Sequence, residues 1–107
     1  MKPMGLAVTP AQLDIVTQLL QTLAPKHQAM AFGSRVRLES ETASLKPHAD
    51  LDIALSGPPL EWHQMFALRD AFSESDLPFR VDVSMYDELP QQWRASVAWV
   101  DLCSPVT

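Results

Sequence analysis

A chain of 107 residues and 11.9 kDa can bury one hydrophobic core, so we predict a single domain that spans residues 1–107. Its net charge of −5 argues against stable nucleic-acid binding, because neutralising phosphates requires clustered Lys and Arg side chains. The single cysteine, Cys103, excludes an internal disulfide bond, and no apolar run is long enough to cross a bilayer. Because the start of the chain also lacks a signal-peptide pattern, we expect a cytoplasmic protein with no membrane partner.

The first part of the chain predicts a helix, a strand and a loop. Residues 9–25 begin with a Thr-Pro pair, which is typical of a helix N-terminus, and carry apolar residues at helical spacing. Residues 27–32 form a short apolar run that predicts a strand, and residues 35–40 are expected to form a helical turn or a short helix. Residues 39–48 show no periodicity, so we expect an exposed loop there.

The second part predicts two strands joined by a helix, and then a last helix. Strands are predicted over residues 50–55 and 79–85, because both segments are rich in β-branched and apolar residues. Residues 60–73 have helical spacing, so the strand-helix-strand unit favours a parallel pair with a right-handed crossover. The last helix would follow Pro90 and carry Trp93, Val97 and Val100. The predicted fold class is therefore α/β (α+β), a short mixed sheet with helices packed mainly on one face.

Three carboxylates lie within the predicted strands. Asp50 and Asp52 are two residues apart in an apolar segment, so both side chains would project from the same strand face. Asp82 has a similar setting between two valines. Carboxylates flanked by apolar residues are costly to desolvate unless a cation compensates them, so the three together predict a divalent-metal site. Each acid alone would more simply cap a strand or pair with an arginine such as Arg69 or Arg80.

A Gly-Ser-Arg sequence follows the first predicted strand. Gly33 lets the backbone approach a phosphate without an intervening side chain, and Ser34 can donate its N–H and its hydroxyl. Arg35 would add positive charge at the phosphate, although an arginine in an exposed turn is as often a solvated surface residue. The turn therefore predicts a phosphate-binding loop.

The other aromatic and histidine side chains have simpler interpretations than catalysis. The large aromatic residues are interpreted as core or interface residues on helices rather than as base-stacking platforms; they are Trp62, Phe66, Trp93 and Trp99. No histidine pair has the spacing of a zinc site, so none is interpreted as a metal ligand; the histidines are His27, His48 and His63.

Three segments together resemble the minimal nucleotidyltransferases of the DNA polymerase β superfamily. In chain order they are Phe32-Gly33-Ser34-Arg35, Asp50-Leu51-Asp52-Ile53-Ala54-Leu55 and Phe79-Arg80-Val81-Asp82-Val83. The resemblance covers the central half of the chain. It departs from the family pattern at two points, because no glycine follows soon after Arg35 and the linker to Asp50 is longer. A longer surface loop costs only a fraction of ~1 kcal/mol, so the linker is compatible with the fold.

The resemblance implies a nucleotidyltransferase fold and a magnesium-dependent enzyme. AMP would pass from ATP to an acceptor hydroxyl, and pyrophosphate would leave. The catalytic residues and the ligands of two Mg²⁺ ions would be Asp50, Asp52 and Asp82. Asp82 would also take the acceptor proton. The triphosphate would be bound by Gly33, Ser34 and Arg35.

Minimal nucleotidyltransferases of this kind commonly act as antitoxins, which implies a protein partner. The partner would be a helical HEPN-type toxin, which is inactivated by AMP transfer to a tyrosine hydroxyl, and residues 93–106 would contribute to the interface. Two alternatives stay open within the same fold: a weak or inactive enzyme that neutralises its partner by binding alone, and a small-molecule nucleotidyltransferase. A regulator or chaperone subunit unrelated to nucleotides is a third alternative.

Overall fold

The computed structural model describes residues 3–38 and 49–105. The strands are β1 (Pro3–Leu6), β2 (Gln28–Phe32), β3 (Val36–Leu38), β4 (Leu51–Ser56), β5 (Val81–Met85) and β6 (Val100–Cys103). The helices are α1 (Pro10–Leu23), α2 (Trp62–Ser73) and α3 (Gln91–Ser96), and a 3₁₀ turn covers Tyr86–Glu88. Within these ranges no helix is both long and apolar enough to cross a membrane.

Helix α1 begins where the Thr-Pro pair predicts it. The Oγ1 of Thr9 accepts a hydrogen bond from the N–H of Gln12 (3.1 Å), and the Oε1 of Gln12 accepts one from the N–H of Thr9 (2.9 Å). This reciprocal capping box satisfies two N–H groups that would otherwise lack partners at the start of the helix. The helix predicted over residues 9–25 is confirmed, with its last turn ending at Leu23.

The central sheet is mixed and has four strands in the order β5-β4-β2-β6. Strands β4 and β5 are parallel and are joined through α2, whereas β2 runs antiparallel to both β4 and β6. Strands β1 and β3 form a separate antiparallel pair. The predicted mixed sheet and its parallel strand-helix-strand unit are therefore confirmed.

One face of the central sheet carries the main core. Leu51, Ile53 and Leu55 are fully buried along β4, as the two-residue period of a strand requires. The helices contribute the buried residues Val16, Leu20, Leu68 and Phe72 to the same cluster. Helices α1 and α2 thus cover one face of the sheet, as predicted, and leave the opposite face to other residues.

The expectation of a helical turn over residues 35–40 is wrong. Val36–Leu38 is strand β3, and its partner β1 has no counterpart among the predicted elements. The N–H of Val36 donates to the carbonyl of Gly33 (3.1 Å), so the chain turns back into an extended pair instead of starting a helix. The loop expected over residues 39–48 lies outside the described residues.

The last helix is shorter than predicted. Helix α3 ends at Ser96, Val97 has an extended backbone (ψ 144°), and Val100 begins strand β6. Strand β6 pairs with β2, whose outer edge would otherwise expose unpaired backbone groups. Pairing with the sheet therefore outweighs the helical spacing of these two valines.

Two of the large aromatic residues do not lie in the core. Trp62 is 82% exposed and Phe66 is 65% exposed on α2, so only their interpretation as interface residues remains. Trp93 lies on α3 and is 39% exposed. Trp99 lies between α3 and β6 rather than on a helix. Both of these tryptophans pack against Phe32.

Candidate active site

The strand register brings two of the predicted site acids side by side. Asp52 pairs with Asp82 across the parallel strands β4 and β5, and with Phe32 across the antiparallel strands β4 and β2. The next residues along β4 and β5, Ile53 and Val83, are buried in the main core. Because neighbouring residues of a strand point to opposite faces, Asp52 and Asp82 lie on the face that α1 and α2 do not cover.

Gly33 directly follows β2 and lies against Asp52. Its φ of +86° falls in the left-handed region that favours glycine. A Cβ at this position would overlap the Oδ2 of Asp52 and lie 3.3 Å from its Cγ. Ser34 is exposed in the same turn. The antiparallel pairing of β2 with β4 therefore brings the Gly-Ser turn and Asp52 together.

The charges of Asp50 and Asp82 act on the third predicted metal ligand, Asp52. The pKa of Asp52 is raised from its ordinary value of 3.8 to about 6, first by burial and then by the negative charges of Asp82 and Asp50. Asp50 lies immediately before β4, and both it and Asp82 are exposed. A cation bound among these carboxylates would favour the charged form of Asp52 and lower its pKa.

The carboxylates fit a magnesium ion by their chemistry but are not preassembled around one point. Mg²⁺ prefers carboxylate oxygens, and a cation would relieve the repulsion of Asp52 by Asp82 and Asp50. Within residues 3–38 and 49–105, however, no three His, Cys, Asp or Glu side chains are arranged to hold a metal ion. The two-ion site therefore stays a prediction, and the chemistry of these carboxylates is suited to it.

Asp82 is not neutralised by the arginines that the simpler interpretation assigned to it. Arg69 donates from Nη2 to the backbone carbonyl of Val83 (2.8 Å). Neither Arg69 nor Arg80 forms an ion pair with a carboxylate in the part of the chain that the structure describes. The exposed carboxylate of Asp82 thus lies beside the sheet without an arginine partner of this kind.

Arg35 is a buried residue, so the solvated-surface alternative is wrong. It is only 5% exposed, and its guanidinium donates from Nε to the carbonyl of Ala49 and from Nη1 to the carbonyl of Ala7, both at 2.7 Å. The guanidinium carbon also lies 3.9 Å from the ring centroid of Phe79. Burial lowers the pKa of Arg35, an effect that Asp50 opposes. Arg35 thus joins the segment after β1 to the residue before Asp50, and its phosphate contact stays a prediction.

A cluster of aromatic side chains lies next to the acids. The sequence pattern did not predict that these residues pack together. Phe32 makes edge-to-face contacts with Trp93 (5.0 Å between centroids) and Trp99 (5.1 Å), and Tyr86 contacts Trp99 (5.3 Å). Phe32 also precedes Gly33 and pairs with Asp52. The alternation of β2, with Phe32 facing away from Ala29 and Ala31, is the signal that could have indicated this second apolar cluster.

The two histidines in the described part of the chain contact residues outside the proposed site. His27 is buried, and its Nε2 lies 2.6 Å from the carbonyl of Pro58. The Nδ1 of His63 lies 3.3 Å from a carboxylate oxygen of Glu61 on the surface. His48 lies outside the described residues, so its interpretation as a residue without a metal role stays a prediction.

The mixed sheet, with acids beside the start of two parallel strands and a glycine turn against them, is compatible with a nucleotidyltransferase fold. The chain is 45% identical over 73 residues to the probable protein adenylyltransferase MntA of Haemophilus influenzae. The match covers 67% of this chain, and the chain spans 60% of the length of that relative. No known protein-family profile matches the chain. The similarity supports the resemblance to minimal nucleotidyltransferases.

Proposed function

We propose that this protein transfers AMP from ATP to a hydroxyl group of a partner protein. The observation that carries the proposal is the contact of the Gly33 turn with Asp52, whose strand partner is Asp82. This arrangement puts a backbone turn suited to phosphate beside acids suited to a hard cation. The similarity to a protein named as a protein adenylyltransferase supports both the reaction and the protein acceptor.

Each part of the reaction is assigned to residues on or beside the sheet face that α1 and α2 do not cover. Asp50 and Asp52, with Asp82, would hold Mg²⁺, which when bound stabilises negative charge on the attacking and leaving oxygens. Gly33 leaves the backbone accessible to the triphosphate, and Ser34 is exposed to donate a hydrogen bond to it. The acceptor oxygen forms a bond to the α-phosphorus while the bond to the pyrophosphate oxygen breaks. The carboxylate of Asp82 accepts the proton that the acceptor hydroxyl releases.

We further propose that the acceptor is a tyrosine of a helical HEPN-type toxin and that this protein acts as its cytoplasmic antitoxin. The resemblance of the site segments to minimal nucleotidyltransferases supports this choice of partner. ATP and two Mg²⁺ ions would be the other components of the reaction.

One observation favours a second candidate, an antitoxin that neutralises its partner by binding alone. The acids of the site are not arranged as a ready metal centre in the described part of the chain. The sequence also lacks a glycine soon after Arg35, where the family pattern has one. A protein of this kind would keep the fold and the partner interface without AMP transfer.

The test is mass spectrometry of the neighbouring gene's protein after incubation with this protein, ATP and Mg²⁺. We expect a mass gain of one or more AMP units on a tyrosine peptide, and no gain with Asp50→Asn/Asp52→Asn. A matched control is Asp14→Asn/Asp76→Asn, which removes the same charge from exposed positions outside the site. Tight association without any mass gain would exclude the transferase and leave the binding antitoxin.

A further inference from the structure

Trp62 and Phe66 form an exposed aromatic stripe on α2 that is not part of the hydrophobic core. They are 82% and 65% exposed, respectively. Residues four apart lie one turn apart on the same side of a helix, so the two rings are neighbours on the surface. Helix α2 buries its other side through Leu68 and Phe72. The stripe therefore contributes little to the core and requires another explanation.

The stripe continues into a cleft beside Asp82. Arg69 follows Phe66 by three residues, which keeps it on the same side of α2. Arg69 also lines a cleft of about 470 Å³ between the end of α2 and the start of β5. Arg80 and Asp82 lie on the other side of this cleft. Because Asp82 also lines this cleft at the edge strand β5, the cleft connects the α2 side of the sheet to the face that carries the acids.

The cleft is basic in an otherwise acidic protein. The chain carries a net charge of −5 and only eight Lys and Arg residues, and two of these arginines line this cleft. Arg69 is held by its hydrogen bond to the Val83 carbonyl, and neither Arg69 nor Arg80 pairs with a carboxylate within the described ranges. Two arginines that form no ion pair within the described ranges are complementary to acidic side chains of another molecule.

We propose that the aromatic stripe and the arginine cleft are the surface on which the acceptor protein docks. This inference rests on the proposed function. The partner contributes an apolar side chain that covers Trp62 and Phe66 and an acidic side chain that pairs with Arg69 and Arg80. At 1.5 Å per helical residue, Trp62 and Arg69 lie about 10 Å apart along α2, with Phe66 between them. The accepting hydroxyl then lies next to Asp82.

A protein fits this surface better than the other ligands of the site. The triphosphate belongs to the Gly33 turn, which lies on the far side of Asp52 from β5 in the order β5-β4-β2. Exposed Trp and Arg side chains are the residue types that contribute most to protein interfaces. The competing occupant of this surface is a second copy of this chain. Measuring the oligomeric state of the variants distinguishes that copy from the acceptor protein.

The experiment compares Trp62→Ala/Phe66→Ala and Arg80→Glu with two controls on α1 and its C-terminal turn. The controls are Leu23→Ala, which removes another exposed apolar side chain, and Lys26→Glu, which reverses another exposed charge. Each protein is assayed for binding to the neighbouring gene's protein, for AMP transfer to it, and for a thermal shift with Mg²⁺ and ATP. Light scattering reports the oligomeric state of each variant.

We expect the two docking variants to raise the Kd and the KM for the partner by at least roughly 10-fold, while the controls match the wild type. The thermal shift with Mg²⁺ and ATP stays unchanged in Trp62→Ala/Phe66→Ala, because the stripe is remote from the Gly33 turn. Unchanged partner affinity in both variants would overturn the proposed docking surface. It would also be overturned if the wild type were a dimer and Trp62→Ala/Phe66→Ala were a monomer, because the stripe would then bind a second copy of this chain. No binding of the wild type to that protein would also overturn it.

The outcomes separate docking from catalysis. If the wild type binds the partner without transferring AMP and the docking variants lose that binding, the surface stands and the proposed transferase fails. If the wild type transfers AMP and the variants transfer it equally well at limiting partner concentration, the transferase stands and the surface fails.

Discussion

The carboxylate of Asp52 occupies the space in which a side chain at residue 33 would lie. Gly33 has a φ of +86°, and a Cβ there would overlap the Oδ2 of Asp52. The contact exists because β2 and β4 are antiparallel, which places the end of one strand at the start of the other. The turn proposed to hold phosphate and an acid proposed to hold Mg²⁺ are therefore parts of one rigid unit.

Gly33→Ala should abolish most AMP transfer and lower the stability of the fold. The new Cβ would displace Asp52, and alanine is disfavoured at positive φ by more than about 1 kcal/mol. The matched control is Gly5→Ala, because Gly5 also has a positive φ of 144° but an added Cβ would meet no atom within 4 Å. Both free energies of unfolding are measured by urea denaturation, and transfer is measured with the partner protein. Equal loss of transfer in the two variants would contradict a specific role for the contact with Asp52.

Asp52→Asn should stabilise the protein near neutral pH in the absence of metal. Burial and the facing carboxylates Asp82 and Asp50 raise the pKa of Asp52 from 3.8 to about 6. Between these two values the folded protein keeps a proton that the unfolded chain has released, so this group's contribution to stability falls as pH rises. The advantage of the Asn variant should therefore grow from pH 4 to pH 6 and then level off. Denaturation curves across this range test it, and a constant difference would contradict the raised pKa.

Magnesium with ATP should stabilise the wild type more than a variant that lacks the carboxylates of Asp50 and Asp52. A cation bound by the acids favours the charged form of Asp52, and binding to the folded state alone raises its stability by mass action. We expect Mg²⁺ with ATP to raise the Tm of the wild type at pH 7.5 and to have little effect on Asp50→Asn/Asp52→Asn. The exposed pair Asp14→Asn/Asp76→Asn is the control for charge. A similar increase in all three proteins would indicate that the ion binds elsewhere.

Arg35→Met should destabilise the fold even in the absence of any nucleotide. The buried guanidinium donates to the partly buried carbonyls of Ala7 and Ala49, and a carbonyl left without a donor costs up to about 1–3 kcal/mol when it is fully buried. Arg80→Met is the control, because Arg80 is exposed and surface substitutions change stability by about 0.5 kcal/mol or less. Thermal unfolding measures both. Equal stability of the two variants would mean that the contacts of Arg35 contribute little to the fold.

Local pattern was enough to predict the elements that carry the acids. The apolar alternation around Asp52 and Asp82 depends only on neighbouring residues, and so does the helix start at Thr9. These features could be predicted because the side chains that decide them are adjacent in sequence. The parallel pairing of β4 with β5 also followed from the short helix between them.

The parts of the site that could not be predicted depend on pairing between distant segments. Strand β3 forms because β1 is available to pair with it, and the buried position of Arg35 requires the carbonyl of Ala7, 28 residues away. Trp99 lies off the predicted helix because β6 completes the open edge of β2. A helical period describes one segment alone, whereas these contacts arise only when the sheet has formed.

Phe32→Leu should disrupt the aromatic cluster next to the acids while leaving the main core intact. Phe32 is nearly buried, and its contacts with Trp93 and Trp99 each contribute about 0.5–1.5 kcal/mol beyond the burial of area. Because Phe32 also precedes Gly33, we expect a lower Tm, a smaller near-ultraviolet circular dichroism signal and weaker binding of Mg²⁺ with ATP. The control Phe66→Leu changes an exposed aromatic residue and should leave all three measurements unchanged. If Phe32→Leu lowers the Tm but leaves nucleotide binding intact, the cluster supports the sheet without positioning the Gly33 turn.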